Sequence, residues 1–67
     1  MIVTLNGDRI TLASSSSLWQ LLEQYQLHQQ NGIAVAVNEE VIAKENWKEQ
    51  ELKENDRILI IKATQGG

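Results

Sequence analysis

The chain has 67 residues, of which 42% are hydrophobic, and carries 6 Lys+Arg against 9 Asp+Glu for a formal net charge of −3. A chain of this length is one domain that buries only about 60% of the surface its unfolded form exposes, which leaves no space for a cofactor cleft of ordinary size beside the core and argues against an enzyme. Cysteine is absent, which excludes disulfides, thiolate metal sites and thiol catalysis, and no basic cluster interleaved with aromatics suggests nucleic-acid binding.

Met1 to Asn6 alternates, with Val3 and Leu5 on one face and Thr4 and Asn6 on the other; Asn6-Gly7-Asp8 is a turn signal, and Ile10 and Leu12 then alternate with Arg9 and Thr11. Alternating runs on either side of Asn-Gly spell a β-hairpin. The serine run Ser14 to Ser17 leads into a helix. With Ser17 as N-cap, Gln20 falls at the third helical position and completes a capping box. Leu18, Leu21, Leu22 and Tyr25 recur on one helical face and form the stripe that covers the hairpin. Trp19 falls off that stripe and is expected to fold over the hairpin's edge, a partner contact being the alternative. The segment His28 to Gly32 ends the helix, with Gly32 as its stop. His28 reads as a solvated or capping residue near the helix's negative end, and as the single histidine it makes no metal site alone.

Ile33 to Val37 is a small, continuous apolar strand that belongs inside a sheet. Asn38-Glu39-Glu40 turns the chain into a brief return strand at Val41-Ile42. Lys44 to Glu54 is charged and irregular, with Trp47 and Leu52 as anchors into the core, and Glu49, Glu51 and Glu54 read as a solvated face. Glu54-Asn55-Asp56 is a further turn, Asn55 being a residue that tolerates positive φ. Arg57 to Ala63 is the last strand, apolar on both faces as a central strand should be. The order fits an α+β domain: a mixed sheet with one helix across it, its first and last strands parallel and central because the helix supplies the crossover.

The chain closes on Thr64-Gln65-Gly66-Gly67. Glycine has no Cβ, so such an end is thin enough to thread a narrow channel, and a nucleotide can activate a free α-carboxyl into an acyl group. A Gly-Gly end alone is a weak signal, since termini ending in small residues are common. The domain ahead of it gives it weight.

The element order is that of the β-grasp, or ubiquitin-like, fold, and the residues go further. Ala36-Val37-Asn38, Val41, the basic Lys44, Trp47, Leu52, Asp56 and Ile58, closing on Gly66-Gly67, resemble the ThiS family of thiamine-biosynthesis sulfur carriers over essentially the whole chain. Gly-Gly is shared with other ubiquitin-like proteins; the Ala-Val-Asn turn with the later tryptophan points to this branch and away from the molybdopterin-synthase small subunit MoaD. The chain departs from the family at Glu39 and Asn55, where glycine is common, and at Lys44, where arginine is common.

The resemblance implies a β-grasp domain over 1–63 and a flexible tail over 64–67. It implies that the Gly67 carboxylate is adenylated and converted to a thiocarboxylate, with Thr64, Gln65 and Gly66 threading a partner's active site. No catalytic residue, metal or bound cofactor is expected in this chain; ATP and magnesium serve the activating enzyme. The implied partners are a ThiF-like adenylating enzyme, a ThiG-like thiazole synthase and a sulfur-donor protein. Because one short helix covers one sheet face, a face carrying Leu59 and Ile61 is expected to dock partners, plain core being the alternative. The competing functional readings are a MoaD-like carrier for molybdopterin, a ubiquitin-like modifier, or an interaction module with an inert tail. The chain opens without a signal-peptide pattern and its longest apolar run is too short to span a bilayer. A cytoplasmic monomer without nucleic-acid or membrane partners is expected.

Overall fold

The computed structural model describes residues 1–62; Ala63 and the tail residues Thr64, Gln65, Gly66 and Gly67 lie outside them. The hairpin forms from β1 (Ile2–Leu5) and β2 (Asp8–Thr11). Its link, Asn6-Gly7, has φ 51° and 88°, the pair of positive values that a two-residue type I′ turn demands and that Asn-Gly supplies at low cost. The register Val3↔Ile10 points those two side chains to one side, where Val3 is fully buried.

Helix α1 spans Leu18–Gln24 and starts as the sequence requires. The Ser17 hydroxyl accepts from the Gln20 amide at 3.2 Å, and the Ser17 amide donates to Gln20 Oε1 at 2.8 Å. The next helical donors are met from elsewhere: Leu18 N–H donates to Gln50 O and Trp19 N–H to Trp47 O, so the irregular segment satisfies amides that a helix N-terminus leaves without partners. Leu18, Leu21 and Leu22 are buried.

The helix ends earlier than Gly32 suggests. Gln26 adopts φ 60°, Leu27 N–H donates to Leu22 O at 2.7 Å and Gln26 N–H to Glu23 O at 3.0 Å, the paired bonds of a Schellman stop. Leu27 then packs against the core. Tyr25, expected on the buried stripe, is the C-cap and 41% exposed, because the helical path has already ended. Gly32, at φ 77°, serves the turn into the next strand.

Strands β3 (Ile33–Val37), β4 (Glu40–Ile42) and β5 (Arg57–Lys62) complete one sheet of order β2-β1-β5-β3-β4. β1 and β5 run parallel and every other neighbouring pair is antiparallel. This is the β-grasp arrangement. Between β4 and β5 the chain makes one 3-10 turn, Lys44–Asn46, and is fastened by Trp47 and Leu52, both buried. Trp47 Nε1 donates to Ile42 O at 3.0 Å, so the ring is buried with its one polar atom satisfied.

Trp19 is half-buried and packs against the core, the ordinary packing expected of it in place of a partner contact. Its ring meets His28 edge-on at 5.3 Å and carries Lys48 Nζ 4.7 Å from its centroid. Its aromatic and cationic neighbours thus come from the segment after the helix and the irregular segment. His28 is correspondingly part-buried, its Nδ1 enclosed without a hydrogen-bond partner, and is neither solvated nor a cap. No helix among the described residues is long and apolar enough to cross a membrane.

Candidate functional site: the open sheet face and the last strand

Side chains alternate across a strand, so β5 divides its apolar residues between the sheet's two faces. Ile58 and Ile60 turn to the helix side, where Ile58 is buried and Ile60 packs on the core. Arg57, Leu59 and Ile61 turn to the other side, which no helix covers. There Leu59 and Ile61 are 49% and 47% exposed, so neither is plain core.

The neighbouring strands shape this face. The register sets Ala36 beside Leu59, Ala34 beside Ile61 and Val41 beside Ala36. Two alanines in β3 make a low floor, and the larger Leu59, Ile61 and the exposed Val41 stand around it. Toward the start of β5 the face becomes polar: Thr4 lies beside Arg57, and Arg57 reaches Glu39 at 3.8 Å in a solvent-exposed ion pair. A shallow depression lined by Thr4, Ala36, Glu39, Arg57 and Leu59 joins the two zones. An apolar centre with a polar rim is how protein-docking surfaces are built.

Side-chain amides and one carboxylate hold β5 in place. Asp56 is buried; its carboxylate accepts from the Lys53 amide at 2.7 Å and from Asn38 Nδ2 at 2.9 Å. Asn38 Oδ1 in turn accepts from the Arg57 amide at 2.9 Å, and Asn38 N–H donates to Arg57 O. The β3–β4 turn is therefore tied to the start of β5. On the opposite side, Asn6 Oδ1 accepts from the Ile60 amide at 2.8 Å and Asn6 N–H donates to Ile58 O at 2.9 Å. Sequence reading marked Asn6 as a turn residue and Asn38 and Asp56 as motif residues; it missed the bonds they make across the sheet, which depend on register and carry no local signal. It also missed the exposure of Val41.

Of the site residues expected from sequence, Leu59 and Ile61 lie together on the open face, and Thr64, Gln65, Gly66 and Gly67 lie outside the described residues. β5 runs toward them. Among the described residues, no three His, Asp or Glu side chains are grouped to hold a metal ion.

The ThiS family model matches residues 3–67. The sulfur carrier protein ThiS of Escherichia coli K12 is 28% identical over 67 residues, all of both chains. The crystal structure of the thiamine biosynthesis protein ThiS from Geobacter metallireducens is similar with a TM-score of 0.85 and 28% identity, covering both chains fully. The solution structure of the Geobacter metallireducens protein is similar with a TM-score of 0.77 at 28% identity, covering all of this chain and 88% of that one.

Proposed function

The chain belongs to the ThiS family, and on that premise we propose that it is the sulfur carrier of thiamine biosynthesis, with Gly67 as the residue that carries the sulfur. The observation that supports this reading most directly is that the family match runs from Val3 through the terminal glycine pair itself.

A carboxylate resists nucleophiles because of its charge and because oxide is a poor leaving group. ATP on a separate activating enzyme would convert the Gly67 carboxylate to an acyl adenylate, releasing pyrophosphate. A persulfide on a sulfur-donor protein would attack the carbonyl and expel AMP, and a thiol would then cleave the acyl disulfide, leaving the Gly67 thiocarboxylate. That sulfur passes to the enzyme that closes the thiazole ring. The chain carries no cysteine, which suits a protein that holds sulfur on its terminal carbonyl. It acts as substrate and carrier; the catalytic groups, ATP and magnesium belong to a ThiF-like activating enzyme, and a ThiG-like thiazole synthase receives the sulfur. Thr64, Gln65 and Gly66 form the reach of the arm, Leu59 and Ile61 the docking contact, and the cytoplasm is the compartment.

Intact mass after incubation with the activating enzyme, ATP and a sulfur source tests the reading. The expected product is heavier by the difference between sulfur and oxygen, and deletion of Gly67 abolishes the gain. An unchanged mass, with the same enzyme competent on another carrier, overturns it.

A further inference from the structure

β1 reaches only as far as Leu5, which pairs with Ile58. Beyond that point the chain swings into the hairpin turn, so no further β1 backbone follows β5 toward the tail. The Ile60 amide on that side would be left without a ladder partner. Asn6 supplies one: its side-chain oxygen stands in for the missing main chain at 2.8 Å. Past Ile60, β5 is paired through β3 alone, by Ala34↔Ile61 and Ile33↔Lys62.

We infer that Asn6 is a positioning residue for the carboxylate chemistry: it clamps the last strand so that the C-terminal arm starts from a fixed point and direction. This inference rests on the carrier reading above. From Ile60 to Gly67 there are seven residue steps, a reach of at most about 25 Å. Delivery of the Gly67 carboxyl to a docked partner is then an intramolecular event whose effective concentration depends on the length of chain that links the carboxyl to the docked body. Loss of the clamp frees one side of β5 and spreads the carboxyl over more positions while the docking face is untouched. The position makes two demands at once. Its φ of 51° belongs to the left-handed region, open mainly to Gly, Asn and Asp, and the side chain must present an acceptor to β5. Glycine meets the first demand alone; asparagine and aspartate meet both.

That difference provides the test: pyrophosphate exchange by the activating enzyme with the wild-type chain, Asn6→Gly and Asn6→Asp, together with amide exchange of each free carrier. In Asn6→Gly the expected result is a fall in kcat of about fivefold, equivalent to ~1 kcal/mol, with KM within about twofold of wild type because the docking surface is intact. The Ile60 amide exchanges faster while Val35 and Val37 stay protected, and Asn6→Asp restores both the rate and the protection. Unchanged kcat in Asn6→Gly despite lost protection at Ile60 overturns the inference. So does an Asn6→Asp variant as slow as Asn6→Gly, or a loss confined to KM that tracks a lower melting temperature. Exchange absent in the wild-type chain would overturn the carrier reading and this inference with it, whereas equal exchange in all three chains overturns the inference alone.

Discussion

Gln26, Glu39 and Asn55 carry backbone in the left-handed region, at φ 60°, 73° and 70°, where a Cβ crowds the following carbonyl. Each is where a turn or helix stop would ordinarily spend a glycine. At Glu39 and Asn55 the family resemblance expects one, and the dihedrals give the physical reason. Glu39→Gly therefore relieves strain, and its cost is small: the Glu39–Arg57 pair is solvent-exposed, and such pairs contribute little. We predict a gain of about 1 kcal/mol for Glu39→Gly, seen as a melting temperature raised by roughly 4–8 °C, and a smaller gain for Asn55→Gly, because asparagine tolerates this region better. Asp56 behaves oppositely. Its carboxylate is the acceptor for Lys53 N–H and Asn38 Nδ2, so Asp56→Ala strands two part-buried donors. The expected cost is about 2–4 kcal/mol by urea denaturation, a large share of what so small a domain has.

At the scale of elements, the helix start was legible and its end was not, for one reason. A capping box writes itself into the sequence through Ser17 and Gln20, while the Schellman stop is a backbone geometry that Gln26 adopts without advertising it. Reading Gly32 as the stop followed glycine's usual preference, and it carried Tyr25 wrongly onto the buried stripe. The hairpin, the Trp47 and Leu52 anchors and the central place of β5 were all legible from periodicity and turn chemistry. Which face of β5 is covered was not, since residues 58 to 61 are apolar throughout, and only the position of the seven-residue helix decides it. The open face makes a prediction that belongs to β5 as a unit. Leu59 is already 49% exposed, so Leu59→Glu removes little buried surface, and its melting temperature should stay within a few degrees of wild type. If partners dock there, kcat/KM for adenylation falls more than about tenfold, since truncated interface anchors commonly cost over 1 kcal/mol. Adenylation at the wild-type rate would remove Leu59 from the docking contact.

For the molecule as a whole, stability and chemistry occupy different stretches of chain. The buried core runs from Val3 to Ile58, and the bonds that tie the β3–β4 turn to the start of β5 involve Asn38 and Asp56. The reacting carboxyl proposed for Gly67 lies nine residues past the last buried core position. A carrier profits from that separation, because its carboxyl must enter one partner's site after another while the body remains a constant handle. Deleting residues 64–67 should then leave the melting temperature within about 1–2 °C of wild type, since the core cluster among the described residues ends at Ile58, and abolish sulfur transfer altogether. Asp56→Ala should do the converse, melting early yet accepting sulfur normally well below its transition. A truncated chain that melts markedly lower would mean that the tail contributes to the fold, and the proposed separation would fail. A full-length Asp56→Ala chain that stays folded but accepts no sulfur would place the β3–β4 turn in the partner contact instead.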